Sequence, residues 1–291
     1  GRFDVDSLAE CASTNSELLA RAERGAPSGS VLVADRQTAG RGSRGRSWLA
    51  SPEASLTFSL LWRFDGGLER LSGLSLAVGL AVVEALEACG ASGIKLKWPN
   101  DILHDGAKLG GILVELHNEL RSDACGGANT AMAVIGIGLN LTLPANIVSA
   151  DGFALPPAAL ARAVPTPPER HQLFAQLLIA LARVLDRFAE HGFSALRAQW
   201  QARHAWQDLP VRLLRDGVIV AHRVVVKPLL EHRPADAPAD QRFHGAHRLA
   251  QVADRAQFHH PVHVIRHDNE TERAGDTASV VLPQDPDNRA G

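Results

Sequence analysis

Apolar residues, many of them β-branched and alternating with polar ones, mark five stretches of the chain as predicted β-strands. These stretches are SVLVADRQ (30–37), SLTFSLLW (55–62), IKLKW (94–98), KLGGILVEL (108–116) and MAVIGIGLNLTL (132–143). A polar, glycine-rich segment separates the last two. They therefore form a predicted hairpin with a long loop.

Hydrophobic spacing typical of a helix appears first within residues 4–25, where polar residues lead into an amphipathic stretch. Ser13 or Thr14 is the predicted N-cap of this helix, and Glu17 completes a capping box with Thr14. Gly25 lies close to its predicted C-terminal end.

Three later stretches complete the set of predicted helices. Residues 71–90 are apolar almost throughout but carry Glu84 and Glu87, whose cost inside a bilayer favours a buried core helix over a membrane span. Residues 167–192 have helical periodicity, with prolines at the front and a glycine at the end, and residues 194–206 follow as a further helical stretch.

The order of these elements, several strands and then helices, predicts an α+β fold in which helices flank a mixed or antiparallel sheet. We expect one domain over residues 1–205 and a separate C-terminal region over residues 206–291. Clean periodicity is lost after about Val220. The C-terminal region is therefore expected to be a degenerate small β-barrel or a partly disordered tail.

Composition narrows the classes of function. In a chain of 291 residues that is 45% hydrophobic, 30 basic residues against 32 acidic ones give a formal net charge of −2. This balance argues against a nucleic-acid-coating protein and against a polybasic membrane anchor. The chain opens without the charged and apolar regions of a signal peptide, so none is expected.

Cysteine and histidine usage indicates neither disulfides nor a metal site. Cys11, Cys89 and Cys125 are an odd, scattered set without metal-ligand spacing, which fits a reducing cytoplasm. His259 and His260 are adjacent, so they point in divergent directions on a strand, and they have no carboxylate or cysteine partner at a convincing spacing.

The stretch QTAGRGSRGRSW (37–48) interleaves glycines with arginines. Glycine weakens any helix or strand that contains it, so this stretch is a predicted loop. Bare backbone N–H groups and guanidinium forks also suit a phosphate or carboxylate. The loop by itself does not distinguish a plain connection from an anion-binding site.

Further short motifs give this loop a context. They are STN (13–15), GRGSRGRSW (40–48), KWPND (97–101), a lysine seven residues after Asp101, GGILVE (110–115) and GIGLN (136–140). In this order and at these separations they resemble the biotin protein ligases of the monofunctional type, which attach biotin to a lysine of biotin-dependent carboxylases. The resemblance runs from Asp4 to Val220. It implies a class II synthetase-like biotin/lipoate ligase fold.

The resemblance also implies a two-step reaction. Biotin and ATP would first form biotinyl-5′-AMP, and the acceptor lysine would then attack this mixed anhydride. The resemblance implies catalytic roles for Lys108, Arg41 and Asp101. Asp101 would either accept a proton from the incoming lysine or hold an ammonium group in place. Mg²⁺ is expected to accompany ATP, because phosphates usually carry that ion with few protein ligands.

Ligand binding is assigned on the same basis. Ser13, Thr14, Asn15 and Gln37 would contact biotin, and Trp48 would line the biotin or the adenine site. Lys97 would be structural or face the phosphates, and Asn140 would contact the nucleotide. The remaining ligand-binding residues that the resemblance implies are Gly40, Arg41, Gly42, Ser43, Arg44, Gly45, Arg46, Asn100, Lys108, Gly111, Gly136 and Gly138.

The implied partner is the biotin carboxyl carrier protein or domain of acetyl-CoA carboxylase or a related carboxylase. The resemblance implies a cytoplasmic enzyme without a nucleic-acid or membrane partner, and it leaves a homodimer open. No helix-turn-helix segment precedes the STN motif, so we expect no DNA-binding arm.

Two features depart from the family pattern and keep alternatives open. Ser43 stands where many relatives carry another arginine, which would weaken retention of the adenylate. The glycine-rich turns of the family's small C-terminal barrel are not recognisable after Val220. The alternatives are a lipoate or octanoate ligase or transferase of the same fold, or a biotinyl-AMP binder with impaired transfer.

Overall fold

A mixed sheet forms the frame of the protein in the computed structural model, which describes residues 1–48, 51–120, 129–143, 155–207, 210–215, 218–225 and 262–266. Its strands are β1 (Asp4–Cys11), β2 (Ser30–Gln37), β3 (Ser55–Asp65), β4 (Ile94–Lys97), β5 (Asp101–His104), β6 (Ala107–Leu120) and β7 (Asn129–Asn140). The strand order is β1-β2-β3-β7-β6-β5-β4. The pair β1–β2 is parallel and the other neighbours are antiparallel. The predicted α+β class is confirmed.

Two long helices cover one face of this sheet and form the main core with it. They are α2 (Leu74–Ala88) and α3 (Arg170–His191), and the short α4 (Arg197–Ala202) follows. Leu80, Val82 and Leu86 of α2 are completely buried. A helix that is apolar on all sides needs such burial. By length and composition the stretch Leu68–Ala88 could cross a membrane, but 67% of its most apolar window is buried inside the fold.

The opposite face carries the helix α1 (Thr14–Glu23), which covers only part of it. A small second core joins α1 to the sheet through Leu18, Leu32, Leu61, Met132 and Val134. The rest of this face is left open beside the N-terminal end of α1.

Two expectations for the N-terminal segment were wrong. Asp4–Cys11 is an edge strand and not a polar approach to the helix, and it is joined through α1 to β2 in a βαβ unit. Most side chains of β1 are exposed. Because this edge strand is held mainly by backbone pairing with β2, its sequence shows no alternation of apolar and polar residues. Ser13 is the N-cap as expected, but its side chain makes no capping bond, and Glu17 pairs with Arg21.

The C-terminal region contains a second, three-stranded antiparallel sheet. Its strands are β8 (Pro210–Arg215), β9 (Val218–Val225) and β10 (Val262–Arg266), in the order β10-β8-β9. The boundary at residues 205/206 stays a prediction. Residues 226–261 and 267–291, which include His259 and His260, lie outside the described residues.

His204 is buried where the chain returns to the edge of the main sheet. Leu96 of β4 accepts a backbone bond from Ala205 and donates one to Arg203, both at 2.8 Å. The imidazole stacks on Trp200, with ring centroids 4.8 Å apart, and meets Trp206 edge-on. Burial in this aromatic cluster lowers the pKa of His204 to about 4.

This burial predicts a loss of stability in mild acid. Between pH 6.5 and about 4 the unfolded chain binds a proton at His204 that the folded chain excludes. The free energy of unfolding should therefore fall by roughly 2–3 kcal/mol from this group as the pH drops from 7 to 4.5. In urea titrations at the two pH values, His204→Phe should lose that part of the pH dependence.

The exposed His191→Phe variant controls for removal of a histidine as such. An equal pH dependence in wild type and His204→Phe would contradict the assignment.

Candidate functional site

The open part of the sheet face is a cleft whose floor has almost no side chains. Gly111 of β6 pairs with Gly138 of β7, and Leu113 pairs with Gly136. The same two β7 glycines pair with Thr57 and Ser59 of β3. The cleft above them has an open volume of about 440 Å³.

Most of the residues singled out from the sequence line this one cleft. Those that do are Ser13, Thr14, Asn15, Gln37, Arg41, Gly42, Ser43, Trp48, Asn100, Lys108, Gly111, Gly136 and Gly138. Segments that are far apart in the chain are thus brought together by the register of β3, β7 and β6.

Two of the floor glycines, Gly136 and Gly138, are required because other side chains lie directly on them. A Cβ atom at Gly136 would overlap Asn15 Oδ1, and one at Gly138 would lie 2.6 Å from Cζ2 of Trp48. At Gly111 it would meet Lys108 Cε at 3.4 Å, which is ordinary contact. The Trp48 indole therefore lies across the middle strands. Its Nε1 is buried without a hydrogen-bond partner in the described part of the chain.

Buried polar groups at the start of α1 form one end of the cleft. The backbone N–H of Thr14 donates to Gln37 Oε1 at 2.7 Å. Ser59 Oγ lies 2.8 Å from Thr14 Oγ1 and 2.5 Å from Asn15 Oδ1. Asn15 Nδ2 donates to Glu115 Oε2 at 2.8 Å and to the Leu113 carbonyl at 3.3 Å. This end offers a fixed set of donors and acceptors.

The glycine-arginine loop closes on itself at the rim. Trp48 N–H donates to the Gly40 carbonyl at 2.9 Å, and a Cβ atom at Gly40 would overlap the Trp48 carbonyl. Arg46 Nε donates a hydrogen bond to the Ser43 carbonyl at 3.3 Å. Arg41 Nη2 donates to Glu115 Oε2 at 2.6 Å, so this guanidinium lies at the polar end of the cleft.

Gly40, Gly45 and Arg46 do not line the cleft. Gly45 has a positive φ of 69° in the short 3₁₀ turn Ser43–Gly45, a conformation that favours glycine. The side chain of Arg44 lies outside the described residues.

Two lysines and an aspartate form the other end. Asp101 Oδ2 lies 3.0 Å from Lys97 Nζ, and Asp101 Oδ1 lies 2.6 Å from Lys108 Nζ. Lys97 and Asp101 are buried, whereas 26% of the Lys108 side chain is exposed. Asp101, which also pairs with the buried Lys97, thus holds the Lys108 ammonium group at the cleft.

Charge and burial oppose each other in this cluster. Burial alone would raise the pKa of the Asp101 carboxyl, but the ammonium groups of Lys108 and Lys97 outweigh it and hold that pKa below its ordinary value. Burial lowers the pKa of Lys97, and Asp101 offsets this only in part. Asp101 is therefore a weak base at neutral pH and a good anchor for an ammonium group.

A bulge in β6 brings Lys108 onto the cleft. Ile102 of β5 pairs with Gly110, but the next residue, Leu103, pairs with Lys108, so Leu109 is an extra residue in β6. Leu109 is completely buried in the main core. Without the bulge, the odd spacing of Lys108 and Gly111 would put them on opposite faces.

The two asparagines bond to backbone. Asn140 Nδ2 donates to the carbonyls of Lys108 and Ala158, at 3.3 and 3.0 Å, and so holds the strand that carries the lysine. Asn140 does not line the cleft. Asn100 Nδ2 donates to the Ile112 carbonyl at 2.9 Å, although this residue does line it.

Sequence reasoning missed several residues of the site. Thr57, Phe58, Ile112, Leu113 and Ile137 also line the cleft. Ser59 and Glu115 complete the polar network. A signal was present for the β3 residues, because Thr57 and Ser59 are polar at a spacing of two in an otherwise apolar strand. Glu115 lies at even spacing from Gly111 and so shares its face.

Comparisons with known proteins place the chain in a family. A family model described as the biotin/lipoate A/B protein ligase family matches residues 9–140. The biotin–[acetyl-CoA-carboxylase] ligase of Paracoccus denitrificans is 34% identical over 219 residues, which cover 75% of this chain and 87% of that protein.

A solved structure, the biotin protein ligase of Aquifex aeolicus in complex with biotin and ATP, is similar with a TM-score of 0.59 and 29% identity. The match covers 77% of this chain and 88% of that one. The bifunctional ligase/repressor BirA of Salmonella typhimurium is 34% identical over 205 residues, which cover 69% of this chain. The match spans only 60% of the length of that relative.

The crowded floor predicts that two glycines do not tolerate a methyl group. Gly136→Ala and Gly138→Ala should each lower the free energy of unfolding of the ligand-free protein by about 1–3 kcal/mol through overpacking. Urea titration measures the effect.

Gly111→Ala is the matched control, because its Cβ atom would make only ordinary contacts. If Gly136→Ala and Gly138→Ala had the same free energy of unfolding as Gly111→Ala, the floor would not be packed as described.

Proposed function

We propose that this chain, which belongs to the biotin/lipoate A/B protein ligase family, is an ATP-dependent biotin protein ligase. It would form biotinyl-5′-AMP from biotin and ATP and transfer biotin to a lysine of a carrier protein. The observation that carries this proposal is one cleft with hydroxyl and amide groups at one end and, at the other, Lys108 held by the Asp101 carboxylate, which also binds Lys97.

The polar end fits the ureido ring of biotin. This ring has N–H donors and a carbonyl acceptor, and the buried Thr14, Asn15 and Ser59 together with the half-buried Gln37 present both kinds of partner. Leu113, which shares the open face of β6 with Gly111, lines the stretch between the two ends, whereas the side chains of Ile112 and Ile137 are buried in the core behind it. An octanoyl chain or a dithiolane ring could not use the remaining hydrogen-bonding capacity of these groups, which disfavours a lipoate or octanoate enzyme.

Lys108 supports the first step. A carboxylate oxygen of biotin attacks the α-phosphorus of ATP while the bond to pyrophosphate breaks. Negative charge then builds up on the phosphate oxygens, and a fixed ammonium group stabilises it. Lys108 is anchored by Asp101 and by the backbone clamp of Asn140, so little reorganisation is needed at the moment of reaction.

In the second step the neutral ε-amine of the carrier lysine attacks the acyl carbon, the bond to AMP breaks with its electron pair leaving on the AMP phosphate, and the proton lost by the nitrogen passes to solvent. We assign to Asp101 the role of holding ammonium groups, because its lowered pKa makes it a poor proton acceptor. The names of relatives such as that from Paracoccus denitrificans support a carboxylase carrier domain as the acceptor.

Mg²⁺ would enter as the ion of MgATP and neutralise phosphate charge, with the protein contributing few ligands of its own. Widely spaced thiols support a reaction in the cytoplasm. A homodimer stays a prediction.

The proposal is tested by incubating the chain with radiolabelled biotin, MgATP and a purified carrier domain. We expect label on the carrier that depends on ATP and is not displaced by excess octanoate or lipoate. Labelling from lipoate or octanoate would point to the alternative substrate class. Pyrophosphate release without carrier labelling would indicate a biotinyl-AMP binder.

Lys108→Ala should separate activity from stability. We expect biotin-dependent ATP–pyrophosphate exchange to fall by at least about 10²-fold, since a charged transition-state contact is lost. The free energy of unfolding should change little, because Asp101 keeps its bond to Lys97 and Lys108 is partly exposed. Lys95→Ala, an exposed lysine on β4, is the control. Wild-type exchange in Lys108→Ala would refute the catalytic assignment.

Ser43→Arg should tighten retention of the adenylate. Ser43 lines the cleft, and an arginine there would add a charge-assisted donor for phosphate. We expect biotinyl-AMP to dissociate roughly tenfold more slowly, as measured by its retention on the protein in gel filtration. Ser47→Arg adds the same charge in the same loop but outside the cleft. Equal effects of both variants would show only general electrostatic attraction.

A further inference from the structure

We propose that Glu115 is a positioning residue that fixes the hydrogen-bonding polarity of Asn15 and thereby selects a ligand N–H group at the polar end of the cleft. The inference rests on the proposed function, since it concerns how the biotin ring is recognised. None of the motif-based roles assigned from the sequence involves the Glu115 carboxylate.

The contacts of Asn15 define its orientation. Its Nδ2 faces two oxygens, Glu115 Oε2 at 2.8 Å and the Leu113 carbonyl at 3.3 Å. Its Oδ1 lies 2.5 Å from Ser59 Oγ. An ionised carboxylate and a backbone carbonyl accept hydrogen bonds but do not donate them.

A flipped amide is excluded by these neighbours. Turning Asn15 over would place Oδ1 against Glu115 and Leu113, which are both acceptors, and this residue is almost completely buried. Of the two acceptors, Glu115 is the closer and carries a charge. Glu115 therefore fixes the orientation of the Asn15 amide. Its Nδ2 points toward Glu115, and its Oδ1 lies on the cleft floor.

The fixed oxygen lies on the floor of the cleft. Asn15 Oδ1 lies so close to Gly136 that a Cβ atom there would overlap it, and both residues line the cleft. A carbonyl oxygen accepts two hydrogen bonds, and Ser59 accounts for one. The second is available to a ureido N–H. A substrate whose corresponding end has no N–H leaves this second acceptor position unused, which costs affinity relative to biotin.

Arg41 compensates the charge that this arrangement introduces. Its Nη2 lies 2.6 Å from the same Oε2 that accepts from Asn15. The carboxylate is thus paired with a guanidinium at the rim, and the interior of the cleft receives a neutral acceptor from Asn15.

The test compares wild type, Glu115→Ala and Glu115→Gln in biotin-dependent ATP–pyrophosphate exchange. Glu115→Ala should raise the KM for biotin by about tenfold or more with a smaller change in kcat. Glu115→Gln keeps an oxygen that can accept from Asn15 and should be intermediate. It also keeps the side-chain volume, so it carries the test if Glu115→Ala does not fold.

Glu84→Ala is the matched control. The Glu84 carboxylate also accepts from an arginine at 2.6 Å, and its side chain is 19% exposed compared with 25% for Glu115. It lies on α2, on the opposite face of the sheet, so its loss should leave the KM for biotin unchanged.

Two further readouts separate positioning from a merely structural role. The preference for biotin over an analogue methylated on the ureido nitrogens should fall in both Glu115 variants and stay constant in Glu84→Ala. In an Asn15→Ala background, Glu115→Ala should add little to the KM, because the group that it positions is gone.

An unchanged KM for biotin, a loss of kcat alone, or additive effects of Asn15→Ala and Glu115→Ala would overturn the inference. Wild-type protein without biotin-dependent exchange would instead refute the proposed function. The two failures are therefore distinguishable.

Discussion

The site depends on the absence of side chains at three positions in the middle of the sheet. Gly111, Gly136 and Gly138 leave room above β6 and β7, and the Asn15 amide and the Trp48 indole then lie directly on the backbone. A glycine in a central strand lowers sheet stability, so a cluster of them on one face requires support from elsewhere. The support comes from the other face, where Ile112, Ile137 and Leu139 of the same strands are buried against the long helices. One sheet thus has a packed face that stabilises it and an open face that binds.

The charged end of the cleft shows why its lysines differ in role. Lys97 is buried and would be an uncompensated charge without Asp101, which makes this pair part of the fold. Lys108 shares the same carboxylate but reaches the cleft. A single aspartate between two ammonium groups leaves net positive charge. This excess positive charge at Lys108 favours an anionic group in the cleft.

Sequence patterns predicted the central part of this fold well. The strands β2, β3, β6 and β7 and the helices α2 and α3 each bury apolar residues on at least one face, so their periodicity is visible. β1 could not be recognised in this way, because its side chains are exposed and only backbone pairing with β2 defines it. The ordered motifs located most of the cleft, but they did not show what each residue touches. Asn140 holds the backbone of Lys108, and Arg41 pairs with Glu115, because strand register brings these partners together from distant parts of the chain.

The bulge at Leu109 explains how both ends of the cleft are carried by one strand. Residues at even spacing, Gly111, Leu113 and Glu115, share the open face of β6 and build the floor and the polar end. Lys108 is three residues before Gly111 and would face the packed side of a regular strand. The extra residue re-aims it, and Leu109 enters the core in its place. The separation between the Lys108 ammonium group and the Glu115 carboxylate is therefore set by the covalent length of β6, and Asn140 holds the strand where the lysine leaves it. A shift of one residue in the pairing of β6 with β7 would turn Gly111, Leu113 and Glu115 toward the packed face and so disrupt the floor and the polar end together.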